Sequence, residues 1–265
     1  MKTNYHTHTY RCKHAMGNDE RYVEAAVSAG IEILGFSDHT PWPHFPADYD
    51  SHVRMAPMYL PEYCQSVRRL REKYKGQIQL HLGLEAEYFP RHMQELMELK
   101  EQYGIEYLIF GAHYDEYDDP RRPERFYYGR DCTDLAGLQR YEQNIIPGIE
   151  ARFYAYVAHP DLFLRCYPYF DEHCAALSRR ICETAVRCGA VLEYNISGFP
   201  FAREHGRIDC FPHPDFWRIA KDCGVTAIIG YDAHSNTSLQ DDASYRYAVH
   251  FLDRLGIRRL EKIEL

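Results

Sequence analysis

The chain has 265 residues with a formal net charge of −8, and 45% of its residues are hydrophobic against 26% charged, the balance of a soluble globular protein with a substantial core. No apolar run approaches the roughly 20 residues needed to span a bilayer, no basic tract offers the clustered cations that neutralise a nucleic-acid backbone, and no apolar leader opens the sequence, so a cytoplasmic protein is expected. The nine cysteines form no C-x-x-C pair, which argues against a zinc finger or a disulfide framework.

In chain order, short apolar runs alternate with amphipathic ones. Strands are predicted near residues 4–8, 31–37, 78–85, 107–112, 155–158, 191–194 and 227–230. Helices are predicted near 19–29, 60–73, 91–103, 138–145, 171–188, 214–222 and 243–255, followed by a short tail. Gly30, Gly104, Gly189 and Gly224 stand where helices hand over to strands. Seven such units, with no break in composition, predict one α/β domain over 1–265 built as a parallel barrel of seven strands. Two longer excursions, 40–59 and 115–133, each follow a strand that ends in a candidate ligand and are expected to shape a pocket.

Metal-binding residue types recur at the strand ends. The first strand carries His6 and His8, an i, i+2 pair that points to one face, with His14 in the loop beyond. The second ends in Asp38-His39, the third in Glu85-Ala-Glu87, the fourth in His113 and the fifth in His159. The seventh runs into Asp232-Ala-His234. The sixth contributes Glu193 and Asn195, a weaker case. Seven histidines, one glutamate and one aspartate exceed what a single tetrahedral zinc takes from a protein, so a site for two or three divalent ions (Zn, Mn or Fe) is expected. His44, His52, His81, His92, His173, His205, His213 and His250 lack that context and read as structural, capping or surface residues.

The ordered run of His6-Thr-His8-Thr, His14, Ser37-Asp38-His39-Thr, Gly83-x-Glu85, Gly111-x-His113, His159-Pro-Asp161 and Asp232-x-His234 resembles the PHP (polymerase and histidinol phosphatase) family. Within it, the chain is similar to the monofunctional histidinol-phosphate phosphatases. The resemblance implies a distorted (β/α)7 barrel with a trinuclear metal site at the C-terminal ends of the strands. It implies one ion on His6, His8, Glu85 and Asp232, a second on Glu85, His113 and His159, and a third on His14, His39 and His234. Glu87 and Asp38 are then expected as hydrogen-bond acceptors for ligating imidazoles. The resemblance also implies a phosphate clamp at Arg165, and a second basic residue after the sixth strand, where Arg203 is preferred to Arg207.

The reaction expected is hydrolysis of a small phosphate monoester, L-histidinol phosphate first, with Asp232 and His234 beside the leaving group. Glu116 and Tyr117 offer an acidic and an aromatic partner for the ammonium and imidazole of such a substrate. Two departures from the family pattern, Tyr231 before the final Asp-x-His and the segment 197–213, raise another phosphoester as the alternative. A non-catalytic metal-binding barrel is the more distant one. No motif encodes an oligomeric state.

Overall fold

Parallel pairing with helical crossovers organises the chain, as the alternation of apolar and amphipathic runs predicts. The structure, a computed structural model, describes residues 1–49, 51–114, 126–206 and 210–265. It divides into two units, one of residues 1–109, 231–242 and 265, the other of residues 110–230 and 243–264.

The first unit holds β1 (Thr3–Asn4), α1 (Asp19–Ser28), β2 (Ile33–His39), α2 (Leu60–Lys73), β3 (Gln79–Ala86) and α3 (Met93–Tyr103), and β4 (Tyr107–Gly111) leads out of it. β2 is buried along its whole length, as a parallel strand covered on both faces should be. It pairs in parallel with β3 from Ile33–Gln79 up to His39–Glu85, so the register sets two candidate ligands directly opposite each other. Gly35 and Gly83 are required by the Tyr107 ring: a Cβ on either would stand 2.2 or 2.4 Å from it. The ring fits there because its hydroxyl donates to the carbonyls of Tyr5 (2.7 Å) and Phe36 (3.1 Å). The Asn18 side chain accepts from Arg21 N and starts α1.

The second unit holds α4 (Tyr128–Asp131), α5 (Leu135–Ala151), β5 (Tyr156–Ala158), α6 (Glu172–Cys188), β6 (Leu192–Asn195), α7 (Gly198–Glu204), α8 (Pro214–Cys223), β7 (Thr226–Gly230), α9 (Asp242–Leu255) and β8 (Arg258–Arg259). Strands β5 to β8 lie side by side in chain order, all parallel. Asp134 and Asp171 cap α5 and α6, and α6 and α8 end on left-handed Gly189 and Gly224. Val157, Leu192, Ile228, Phe216 and Trp217 are buried in its core.

The structure departs from the sequence expectations at several points, among them the short α4 inside the excursion 115–133. β1 stops at Asn4, and beyond it the stretch carrying His6 and His8 forms no named strand: Thr7 bridges in parallel to Ala233, and its carbonyl accepts from Ser37 N at 2.9 Å. A two-residue strand, β8, stands where a tail is expected, too short for any periodic signal. α5 runs from Leu135 to Ala151, straight through Pro147. α7 occupies part of the segment that departs from the family pattern. Among the described residues no helix is long and apolar enough to cross a membrane, and all nine cysteines are free thiols.

Candidate metal centre

In the first unit, residues from both ends of the sequence converge. His6, His8 and Glu85 are at most 1% exposed. His6 Nε2 lies 3.4 Å from both Glu85 Oε1 and Asp232 Oδ1. His8 Nε2 lies 3.5 Å from Glu85 Oε2 and 3.1 Å from Asp232 Oδ1. His39 Nδ1 faces Glu85 Oε2 at 3.0 Å. On the rim, His234 Nε2 meets His14 Nε2 at 2.9 Å, and the His8 and His234 rings stack with centroids 4.1 Å apart. Two sets of ligand atoms, His6–His8–Asp232 and His8–His39–His234, each lie within 4.8 Å of one another.

These side chains fit a bound cation. A tetrahedral ion with bonds of about 2.05 Å holds its ligand atoms about 3.3 Å apart. The nitrogen–oxygen separations from His6 and His8 Nε2 to the two Glu85 oxygens and to Asp232 Oδ1 run from 3.1 to 3.5 Å. Neither buried nitrogen of His8 makes a well-aligned hydrogen bond, although carboxylate oxygens stand this close. Imidazole nitrogens and carboxylate oxygens gathered this closely in a buried pocket suit a positive centre between them.

Backbone and carboxylate contacts aim these ligands. Asn4, fully buried, donates from Nδ2 to the His6 carbonyl (3.0 Å) and to Thr7 Oγ1 (2.8 Å). Its Oδ1 accepts from His6 N (3.2 Å) and Tyr231 N (3.0 Å). One amide therefore replaces the missing ladder and ties the His6 segment to the residue before Asp232. Asp38 Oδ1 faces His8 Nδ1 at 3.5 Å and accepts from His39 N at 2.9 Å, while its Oδ2 takes the Thr9 hydroxyl. Asp38 is thus the carboxylate at the far ring nitrogen of His8. The other residue expected in that role, Glu87, is bound by Arg54 and Trp42.

Electrostatics follow this arrangement. Burial opposes ionisation of Asp232, yet His6, His234 and His8 hold its carboxyl well below the usual range. Burial lowers the His8 pKa, but the Asp232 and Asp38 carboxylates outweigh it and leave His8 above the ordinary imidazole value. His234 is pushed down by desolvation and by the His8 ring beside it.

The second unit gathers a smaller set. The His113 and His159 rings lie 4.9 Å apart, both residues under 9% exposed. His159 has φ +29°, and its N–H donates to Glu193 Oε2 at 3.0 Å. Asn195 Nδ2 supports the same oxygen at 2.9 Å and is itself held by Ser197. Glu193 and Asn195 therefore place His159 through its backbone. Arg165 closes a 3-10 turn, donates from Nη1 to the Tyr127 hydroxyl (2.8 Å) and stacks on Phe201 (4.1 Å). Asp161, fully buried at the start of that turn, accepts from His213 N at 2.7 Å, and burial pushes its carboxyl up to about 7.

Arg203 is exposed in the last turn of α7 and lines a groove of about 620 Å³ with Phe199, Ala243 and Tyr247. Tyr231 is 2% exposed with the Lys2 ammonium 5.7 Å over its ring, so this departure from the family pattern is a packing feature near β1. Glu116, Tyr117 and Arg207 lie outside the described residues. His213 caps α8 by accepting from Asp215 N, the capping role its position predicts. Sequence reasoning misses Asn4 and Arg54, whose residue types carry no spacing signal.

A family model described as "PHP domain" matches residues 4–197. A probable histidinol-phosphatase of Deinococcus radiodurans is 28% identical over 235 residues, covering 86% of this chain and 85% of its own length. A histidinol-phosphatase of Bacillus subtilis is 26% identical over 279 residues, covering 96% and 99%. The crystal structure of a histidinol phosphate phosphatase from Lactococcus lactis, solved with zinc, L-histidinol and phosphate, superposes with a TM-score of 0.73 at 20% identity, covering 100% of this chain and 99% of that one. That of a putative histidinol phosphatase from Listeria monocytogenes gives 0.71 at 18% identity, covering 92% and 99%. The two superpositions establish the fold, and the match over 4–197 establishes that the chain belongs to the PHP domain family.

Proposed function

We propose that this protein is a metal-dependent phosphatase that hydrolyses L-histidinol phosphate to L-histidinol and phosphate. The observation that carries the reading is the buried set of His6, His8, Glu85 and Asp232, spaced as ligands of one ion and found in a member of a family whose relatives bear that activity in their names.

His6, His8, Glu85 and Asp232 would hold one divalent ion, and His14, His39 and His234 another. In the second unit, His113 and His159 would serve a further ion. Zinc, the metal in the solved Lactococcus relative, suits this mixture of imidazole and carboxylate, as do Mn and Fe. Divalent ions held there would supply a water of near-neutral pKa and polarisation of the phosphoryl oxygens.

The chain's own groups supply the rest. Arg165, fixed by Tyr127 and Phe201, presents a planar set of donors matched to phosphate oxygens. Arg203 is the second basic group assigned to the phosphate. Asp232, held anionic, stands 3.3 Å from His234 Nδ1, and the pair is assigned to the leaving-group side, where it would orient the water that gives the alkoxide its proton. Glu116 and Tyr117 are assigned to the substrate's ammonium and imidazole.

The test is phosphate release from L-histidinol phosphate by protein reconstituted with Zn, Mn or Fe, beside sugar phosphates, nucleotides and phosphodiesters. The reading expects a clear preference for histidinol phosphate with kcat/KM above roughly 10⁴ M⁻¹s⁻¹. Even, weak activity across the panel would reassign the substrate, and no hydrolysis by metal-loaded protein would end the reading.

A further inference from the structure

A buried ion pair lies directly behind the ends of β2 and β3. Arg54 and Glu87 are each 1% exposed. Arg54 Nη2 donates to Glu87 Oε1 at 2.8 Å, and Nη1 to Glu87 Oε2 at 3.3 Å. Nη1 also donates to the Thr40 carbonyl at 3.0 Å. Trp42 Nε1 reaches Glu87 Oε2 at 3.3 Å. The Thr40 backbone N–H and hydroxyl both donate to the Glu85 carbonyl, at 2.9 and 2.8 Å.

These bonds close a ring. It runs from His39 through Thr40 to the Arg54 guanidinium, across to Glu87, and back along the chain to Glu85. His39 and Glu85, the two residues it brackets, face each other at 3.0 Å. A buried charge pair is costly to desolvate, and apolar groups of similar size often stabilise a fold as well or better. Its place behind two convergent ligands gives it a different use.

We propose that Arg54 is a positioning residue for the metal centre, tying the segment after β2 to the segment after β3 and so fixing the distance between His39 and Glu85. The proposal rests on the metal-phosphatase reading. Each ligand must stand within about 0.2 Å of the distance its ion requires, and in the proposed reading His39 and Glu85 serve neighbouring ions, so the two segments that carry them must be held in register. A guanidinium fork can hold a carboxylate edge and a carbonyl at once, whereas an ammonium is a point donor without that geometry. Residues that orient metal ligands are worth 10- to 100-fold in affinity or activity.

The experiment compares wild type, Arg54→Lys and the double variant Arg54→Gln/Glu87→Gln, which removes both charges of the pair together. Each is loaded with zinc, checked for folding by near-UV circular dichroism, and dialysed against graded chelator, with retained zinc measured per chain. Values of kcat and KM for phosphate release are taken separately. Both variants should fold, lose zinc at a chelator concentration at least 10-fold lower, and lose kcat about 10-fold with KM within about threefold. Excess zinc in the assay should restore much of the kcat of Arg54→Lys. A folded variant that retains zinc and kcat as wild type does would overturn the proposal. So would one that loses thermal stability while its chelator midpoint stays within twofold of wild type, because Arg54 would then serve the fold alone. Wild-type protein that takes up no zinc would instead sink the metal-phosphatase reading itself, and this one with it.

Discussion

Asp232 adopts φ +46°, a left-handed conformation that a side chain bearing a Cβ rarely takes. The cost of such a backbone, about 1–3 kcal/mol, persists only where neighbouring bonds over-determine it. Here Asn4 Oδ1 holds Tyr231 N, and Ala233 N donates to the His6 carbonyl at 3.1 Å, so the residues on both sides of Asp232 are fixed to the His6 segment. The same principle governs His159, whose N–H is fixed by Glu193. Under the proposed reading Asp232 supplies charge as well as shape. Asp232→Asn keeps the volume and removes the charge, and it should retain the fold, bind less metal per chain and lose at least about 100-fold in kcat/KM. Metal analysis and phosphate release on one preparation check this, and undiminished metal content would remove Asp232 from the ligand set. His6, His8 and Asp232 are legible in the sequence because ligand residue types in an i, i+2 pattern flank apolar runs. Asn4 and Arg54 are not, since an asparagine or arginine acquires its meaning only from the tertiary partners it meets.

Elements place these residues by register. Pairing of β2 with β3 brings His39 opposite Glu85, and pairing of β6 with β7 brings Asn195 opposite Gly230. At Gly230 a Cβ would stand 1.8 Å from Glu193 Oε1. Gly230→Ala should therefore displace the carboxylate that holds His159 N, lowering stability by about 1–3 kcal/mol as an overpacked core position does and reducing kcat/KM. Urea denaturation and kinetics read the two effects, and an alanine variant with wild-type values in both would show that Glu193 moves freely. A second device joins α2 and β3 to the residue before β4. Glu106 accepts from Leu82 N at 2.7 Å, pairs with Arg71 and faces His81 at 3.4 Å. Burial works against its ionisation, but these partners hold it at about 2. A carboxyl depressed in the folded state stabilises above its unfolded pKa, near 4.3, and that contribution is lost as pH falls toward 2. Glu106→Gln should thus be less stable than wild type at pH 6–7, with the gap narrowing below about pH 4.5 in parallel urea titrations. The long apolar strands and capped helices are readable from periodicity, while β8 and the shortening of β1 escape it. A two-residue strand carries no period, and β1 ends because a side-chain amide takes over the hydrogen bonds that a ladder would make.

At the scale of the whole chain, the first unit is discontinuous: residues 231–242 return to the segment that starts at residue 1. His6 and His8 stand near one terminus, and Asp232 and His234 lie more than 220 positions later. Under the proposed reading, an ion on His6, His8, Glu85 and Asp232 cross-links these two stretches in the folded state and finds no such set in the unfolded chain. Binding of that kind adds RT ln(1 + [M]/Kd) to stability, about 2.7 kcal/mol when free metal is 100 times Kd. For a chain of this size that raises Tm by roughly 5–10 °C over chelator-treated protein. The stabilisation should also depend on pH, because each imidazole must give up its proton to bind metal. His8 holds its proton more tightly than an ordinary histidine in the metal-free fold. The metal-induced rise in Tm should therefore be full near pH 8, begin to shrink above the ordinary imidazole value of about 6.5, and be mostly gone by about pH 5. Differential scanning calorimetry with zinc and with chelator across this range measures the effect. Asp232→Asn should show a smaller metal-induced shift at every pH, since it removes one ligand charge and leaves the same histidines to titrate. Superimposable melting curves with zinc and with chelator at pH 8 would mean that no ion joins the two stretches, and the stability of the first unit would then rest on its packing alone.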